Sequence, residues 1–278
     1  MSGVSRCLPR SQPTRARSWA PLDARQVTCG GSLLEAHGIG KRFGGVAAAD
    51  GVDFHINQHE HVALVGDNGA GKSTLVKILT GAILPDSGEI WFDGQRRYFT
   101  TPLDARRVGI ETVYQNLALA DHLDVAANLF LGREDCRIRL GPFSLLAHDR
   151  MRRKAGELLA QTGVGIPGLR EPLLNLSGGQ RQSIAIARAV GWGSKLIIMD
   201  EPTAALGVQE TAHVEQIIRN LKDQGIAVLI VSHNLRQVFD LCDTIWVMRR
   251  GRIAGHRERR SVSAENIVRL ITGADAVA

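Results

Sequence analysis

The residues best suited to chemistry fall in five short stretches, and the densest is Gly66-Asp67-Asn68-Gly69-Ala70-Gly71-Lys72-Ser73-Thr74. Its spacing of glycine, four residues, glycine, lysine and serine is that of a loop built to hold phosphate. Glycines let the backbone curl so that successive N–H groups point at phosphate oxygens, and a following helix adds the positive end of its dipole. Lys72 then reaches the β and γ phosphates, and Ser73 supplies an oxygen to Mg²⁺. The pattern predicts a nucleotide site.

Four further stretches acquire meaning beside that loop. Gln115 ends the apolar run GIETVYQ, where its amide can touch Mg²⁺ or an attacking water. Ser177, Gly178, Gly179 and Gln180 precede a helical pattern, so Ser177 suits an N-cap and the glycines permit close approach of an anion. Asp200 and Glu201 follow the apolar run Leu196 to Met199. At the carboxyl edge of a parallel sheet, Asp200 can hold Mg²⁺ while Glu201 orients or deprotonates a water aimed at the γ phosphate. His233 ends the run AVLIVSH and is expected to contact that phosphate. Phe43 either stacks on an adenine or is an ordinary packing residue at a strand end.

These residues need a scaffold, and the hydrophobic pattern supplies one. Residues 33–43 and 52–56 read as antiparallel strands joined through Gly44-Gly45. His61 to Val65 is a buried strand, and Leu75, Ile78 and Leu79 form the stripe of a helix ending near Gly81. GEIWFDG and Arg96 to Phe99 predict a hairpin, and residues 109–115 a further strand. Residues 116–175 read as inserted helices: Asp124 or a neighbour caps a run through Leu131, Asp149 caps Met151 to Thr162, and residues 132–147 form a loop. A helix over 208–224, a strand over 227–233 and a short helix capped by Asn234 come next. A hairpin about Gly251 and a last helix capped by Ser263 close the pattern.

The 278 residues and their 44% hydrophobic content are ample for a proper core. The net charge of +6 is unevenly spread. Residues 1–32 carry Arg6, Arg10, Arg15, Arg17 and Arg25 against Asp23 alone, so the remainder is nearly neutral and no nucleic-acid partner is expected. Cys7, Cys29, Cys136 and Cys242 form no CxxC pair, which fits a reducing compartment without a zinc site. No apolar run approaches the roughly 18 residues that span a bilayer. Residues 1–32 lack the apolar core of a secretory signal and read as a disordered or mis-assigned extension, with the domain proper over 33–278.

Taken in order, GDNGAGKS, Gln115, LSGGQ, LIIMDEP and His233 resemble the ATP-binding cassette (ABC) ATPases over about residues 33 to 273. The resemblance implies an α/β fold, a P-loop NTPase (RecA-like) core with an N-terminal antiparallel β subdomain and a helical subdomain inserted at about 116–175. It makes Gly66 to Thr74 the Walker A loop, Gln115 the Q-loop residue and Ser177 to Gln180 part of the signature. Asp200 becomes the Walker B aspartate, Glu201 the catalytic carboxylate and His233 the switch histidine. The cofactors implied are ATP and Mg²⁺, with Ser73, Gln115 and Asp200 as metal contacts and Lys72 on the phosphates. Two cassettes of this family pair head to tail, each signature completing the partner's nucleotide site.

VYQNLALADHLDVAANLFLGRE and EPTAALGVQE further resemble the ATPases of bacterial monosaccharide importers, closest to the single-cassette, fructose type. That resemblance implies a homodimer, membrane permease subunits, indirectly a periplasmic sugar-binding protein, and a peripheral place on the cytoplasmic side of the inner membrane. The alternatives are an importer subunit for another solute and a soluble ABC ATPase acting on ribosomes or DNA. Asp67 replaces the glutamate usual in the sugar-importer loop, and Gly207 stands where most ABC proteins have the D-loop aspartate.

Overall fold

Two sheets share the work of holding the loops in place. A computed structural model describes residues 31–140 and 143–274. The expectation for the N-terminal extension lies outside the described residues except at its last positions. The chain opens with β1 (Ser32–Phe43) and β2 (Val46–Asn57), paired antiparallel through the expected turn. After β3 (His61–Val65) and α1 (Lys72–Leu79) come β4 (Ser87–Phe92) and β5 (Gln95–Arg97). These complete a four-stranded antiparallel sheet of order β2-β1-β4-β5.

One helix escaped the periodicity reading. α2 (Pro102–Val108) has a proline in its first turn, and Asp104 accepts hydrogen bonds from the Thr101 N–H at 2.9 Å and hydroxyl at 3.0 Å. Thr-Pro-x-Asp is a helix-start signature that was there to be read. The helix itself is too short, with Ala105 its one buried side chain, to show an apolar stripe.

β6 (Ile110–Val113) leads to α3 (Val125–Leu129), which Asp124 caps by accepting from Ala127 N at 2.7 Å, as expected. Residues 132–147 are not wholly loop: β7 (Cys136–Leu140) and β8 (Phe143–Leu146) form a two-stranded hairpin. Cys136, Ile138 and Leu140 alternate with Arg137 and Arg139, a two-residue period that sequence reasoning passed over because it spans only five residues, and backbone pairing with β8 makes the hairpin. α4 (His148–Thr162) starts ahead of Asp149, which sits in the first turn rather than at the cap. There its charge still faces the positive helix end.

α5 (Gly178–Val190), β9 (Leu196–Asp200), α6 (Val208–Asp223), β10 (Ala227–Val231) and α7 (Leu235–Leu241) follow in alternation. β11 (Thr244–Arg249), β12 (Arg252–Glu258) and α8 (Ala264–Thr272) end the described chain. The second sheet has the order β12-β11-β3-β10-β9-β6, parallel except for the hairpin strand β12.

Its strands read as continuous apolar runs because both faces are covered. Val62, Leu64, Ile198, Leu229 and Met248 join a core with α1 and the antiparallel sheet. Their alternating neighbours Ala63, Val65, Ile197, Met199, Val228 and Ile230 join a second core with the helices, including Val125 and Leu129 of α3 and Ala155 and Leu159 of α4. Burying each such side chain contributes roughly 1.5–3 kcal/mol. The sheet is therefore rigid, and its carboxyl edge is a fixed platform for loops.

Candidate functional site

That edge carries the chemistry. β3 runs into the glycine loop, β9 ends at Asp200, and β10 ends two residues before His233. A cavity of about 550 Å³ at this edge is lined by Asn68, Gly69, Gly71, Lys72, Ser73 and Thr74, together with Gln115, Asp200 and Glu201. Three segments widely separated in sequence thus meet where the parallel strands end.

The loop holds its curl by close approach. Gly71 has φ +107°, and a Cβ there would collide with the Ala48 carbonyl oxygen and lie 2.6 Å from Met248 Cε. Gly251 N donates to Ala70 O at 2.8 Å, so the turn after β11 braces the loop from outside. Lys72 Nζ donates to Gly66 O at 2.6 Å and Asp67 O at 2.9 Å. Burial lowers the Lys72 pKa from its ordinary value, opposed by the charges of Glu201, Asp200 and Asp67. Burial and then Glu201 raise that of Asp200, opposed by Lys72 and Lys77. An ammonium held on two backbone carbonyls, within the field of three carboxylates, is poised to exchange partners with a phosphate chain.

Glu201 is set by strain as well as by pairing. Its φ of +52° is unusual for a residue with a side chain and costs about 1 kcal/mol or more. Its backbone N–H donates to Val231 O at 2.8 Å, which ties it to β10. Its Oε1 accepts from His233 N at 3.2 Å and lies 2.7 Å from His233 Nδ1. His233 thus reaches the site through Glu201, although it is not among the cavity-lining residues.

Ser177 to Gln180 lie elsewhere: none of them lines this cavity. Ser177 caps α5 by accepting from Gln180 N at 3.3 Å, and Gln180 Oε1 accepts in return from Ser177 N at 3.0 Å. Gly179 N donates to Glu210 of α6. Phe43 does not line the cavity either. It is exposed at the end of β1 with Lys41 Nζ 5.8 Å above its ring, and its cross-strand partner Val46 lines the cavity in its place, with Ala47 and Ala48.

A family model described as ABC transporter matches residues 49–204. The chain belongs to the ABC transporter family. It is 45% identical to a xylose/arabinose import ATP-binding protein of Sulfolobus acidocaldarius, covering 86% of this chain and 94% of that protein. It is 42% identical to a fructose import ATP-binding protein of Rhizobium meliloti, covering 87% and 94%. The crystal structure of the ADP conformation of an ATP-binding cassette from an ABC transporter matches with a TM-score of 0.74 at 25% identity, over 88% of this chain and 97% of that one. As an ABC cassette the chain binds nucleotide and is an ATPase.

Sequence reasoning missed two arginines, one on the cavity and one bracing a segment that leads from it. Arg250 lines the cavity from the β11–β12 turn, with φ +47°. A turn arginine far from any motif carries no sequence signal. Arg188 of α5 donates from Nη1 to Ala118 O and from Nη2 to Leu117 O, both at 3.0 Å, so α5 grips the loop that carries Gln115. Beside it, Glu111 is buried and pairs with Arg133 at 2.9 Å and Arg106 at 3.3 Å. The cap at Ser177 was legible, but nothing in the local sequence shows which loop the far end of α5 meets.

Proposed function

We propose that this chain is the energy-coupling ATPase of an importer, acting as a pair of cassettes on permease subunits, with a monosaccharide as cargo. The observation that carries the reading is a division. Walker A, Gln115, Asp200 and Glu201 share one cavity, whereas the capped, phosphate-suited terminus at Ser177 faces elsewhere. Each half is complete only when a second copy brings its signature to the first copy's nucleotide. Donors preorganised at the γ phosphate are the kind that stabilise developing charge.

In this reading Lys72 and the loop N–H groups, Gly66 to Thr74, hold the phosphates. Ser73, Gln115 and Asp200 would hold Mg²⁺: a hydroxyl, an amide and a carboxylate facing one cavity match the oxygen set of a cation that shares its shell with nucleotide phosphates. When bound, the cation neutralises charge on the β and γ oxygens. Glu201 accepts the proton of the water that attacks the γ phosphorus, the bond to the ADP oxygen breaks, and inorganic phosphate leaves. His233, paired with Glu201, contacts the γ phosphate and reports its presence to β10. Phe43 or Val46 flanks the base.

The insertion over 116–175 is the part proposed to receive the permease, through the segment after Gln115 and α3. Among the described residues no helix is long and apolar enough to cross a membrane. Attachment to the cytoplasmic side of the inner membrane would therefore run through those subunits, and a periplasmic sugar-binding protein would deliver cargo to them. The sugar reading is supported by the relatives above, which are import ATP-binding proteins for xylose/arabinose and for fructose.

The deciding experiment uses Glu201→Gln. With Mg-ATP the variant should elute as a dimer and hydrolyse at least about 100-fold more slowly, some 2.7 kcal/mol, whereas with ADP it stays monomeric. Normal turnover would remove Glu201 from its role. Persistent monomers with ATP and the permease present would remove the paired site.

A further inference from the structure

Glu210 is the third residue of α6, where a carboxylate ordinarily reaches back to its own N-cap and leaves the second oxygen to water. Here Oε2 does accept from Gly207 N at 3.2 Å. Oε1 crosses to another helix and accepts from Gly179 N at 3.3 Å, in the first turn of α5. The approach depends on the glycine, because a Cβ at Gly179 would stand 2.7 Å from Glu210 Cβ. Hydrogen bonds from the Ser177 hydroxyl, Gly207 N–H and Gly179 N–H lower the Glu210 pKa from its ordinary value, so the bridging group keeps its charge.

Two helix N-termini brought together put two positive dipole ends side by side. One anion between them relieves that repulsion and fixes their separation. Gly207, at the D-loop position, has no side chain through which to be held, so its place is set by its backbone alone. We propose that Glu210 is a positioning residue whose single carboxylate locks the signature turn at Ser177–Gly179 to the D-loop at Gly207, presenting both to the partner cassette as one edge. This rests on the paired-cassette reading, but the lock itself lies within one chain.

The test combines two measurements on Glu210→Ala and the closer isostere Glu210→Gln. In the single chain, hydrogen exchange should accelerate at least tenfold at the amides of residues 178–180 and 207–209 together in Glu210→Ala, and less in Glu210→Gln, with the Walker A loop unchanged. Acceleration confined to residues 207–209 would leave an ordinary capping residue and overturn the lock. In the Glu201→Gln background, Glu210→Ala should raise about tenfold the protein concentration needed for ATP-driven dimerisation. Binding of a fluorescent nucleotide to the monomer should stay within twofold. Unchanged dimerisation, or equal loss of monomer binding, would overturn the positioning role. Should Glu201→Gln alone fail to dimerise, the paired reading falls by itself, and the exchange pattern still decides whether Glu210 joins the two termini.

Discussion

Two helices in this cassette begin at glycine-rich turns suited to anions, and they are finished differently. α1 starts at Gly71 with no side-chain cap, so its first N–H groups open into a cavity with Lys72, Asp200 and Glu201 around it. α5 starts at Ser177 with a closed capping box and a further carboxylate from α6 on Gly179. The first terminus is rigid because other backbone presses on it; the second satisfies its own donors with side chains that can rotate away. In the proposed reading, an open terminus suits phosphate held within one chain, whereas a self-capped one suits a ligand that arrives late, on another subunit. The contrast also separates what each substitution should damage.

The largest effect should come from Lys72→Ala, which removes the cation in the first turn of the open terminus. Hydrolysis is expected to fall at least about 100-fold, roughly 2.7 kcal/mol of transition-state stabilisation. A steady-state assay checks it, and activity within tenfold of wild type would break the contrast at its strongest point.

Next, Gly71→Ala should be far worse than Gly178→Ala. At Gly71 the added methyl meets backbone and a left-handed φ, for about 2–4 kcal/mol of strain. At Gly178 it meets only Leu206 Cδ2 at 3.3 Å, a flexible side-chain end. Thermal unfolding and nucleotide titration of both should show lost binding in the first and near-normal monomer binding in the second. Equal damage would mean that the two termini are not built differently.

Acidity sharpens the comparison because the open terminus holds two charges, shifted toward each other, that nucleotide binding needs together. Holding a cation needs Asp200 ionised, and its raised pKa means that protonation sets in at higher pH than for an ordinary aspartate, near 3.9. Phosphate binding needs Lys72 charged, and its lowered pKa means that charge is lost at lower pH than for an ordinary lysine, near 10.4. Both shifts narrow the plateau of the pH–rate profile. Lys72→Arg should move only the alkaline limb outward, and a limb that stays in place would exclude Lys72 from it.

The smallest effect is expected from Ser177→Ala: about 1 kcal/mol of stability through the lost cap, read by denaturant unfolding. Monomer nucleotide binding should be intact, and hydrolysis should weaken most at low protein concentration. A loss of monomer binding would place Ser177 at its own chain's nucleotide and dissolve the comparison.

Much of this was readable from residues. The loop Gly66–Thr74, the cap at Ser177 and the carboxylates after β9 were found because each rests on local rules of turn, cap and strand end. Asp124 was placed by the same reasoning. α2 was missed although its Thr101-Pro102-x-Asp104 start was on view, because a helix this short shows no stripe. The hairpin β7–β8 was missed although Cys136, Ile138 and Leu140 alternate with two arginines, because a five-residue period beside the non-alternating Phe143–Leu146 is a weak signal. Phe43 was a candidate by residue type alone, and the pleat of β1 leaves it exposed beside Val46, the residue that lines the cavity.

What the chain's own letters determined is therefore the inventory: a phosphate loop, two acids and a histidine at strand ends, and a second anion-suited helix start. Those follow from interactions spanning a few residues, which the local order of side chains controls. Only the folded structure decided who meets whom. It put Gln115 and Asp200 on one cavity, made Glu201 turn left-handed to face His233, set Arg250 at the rim, and handed Gly179 to Glu210. Such meetings depend on strand order and helix packing, whose energy comes from side chains scattered over the whole chain and not from the residues that meet.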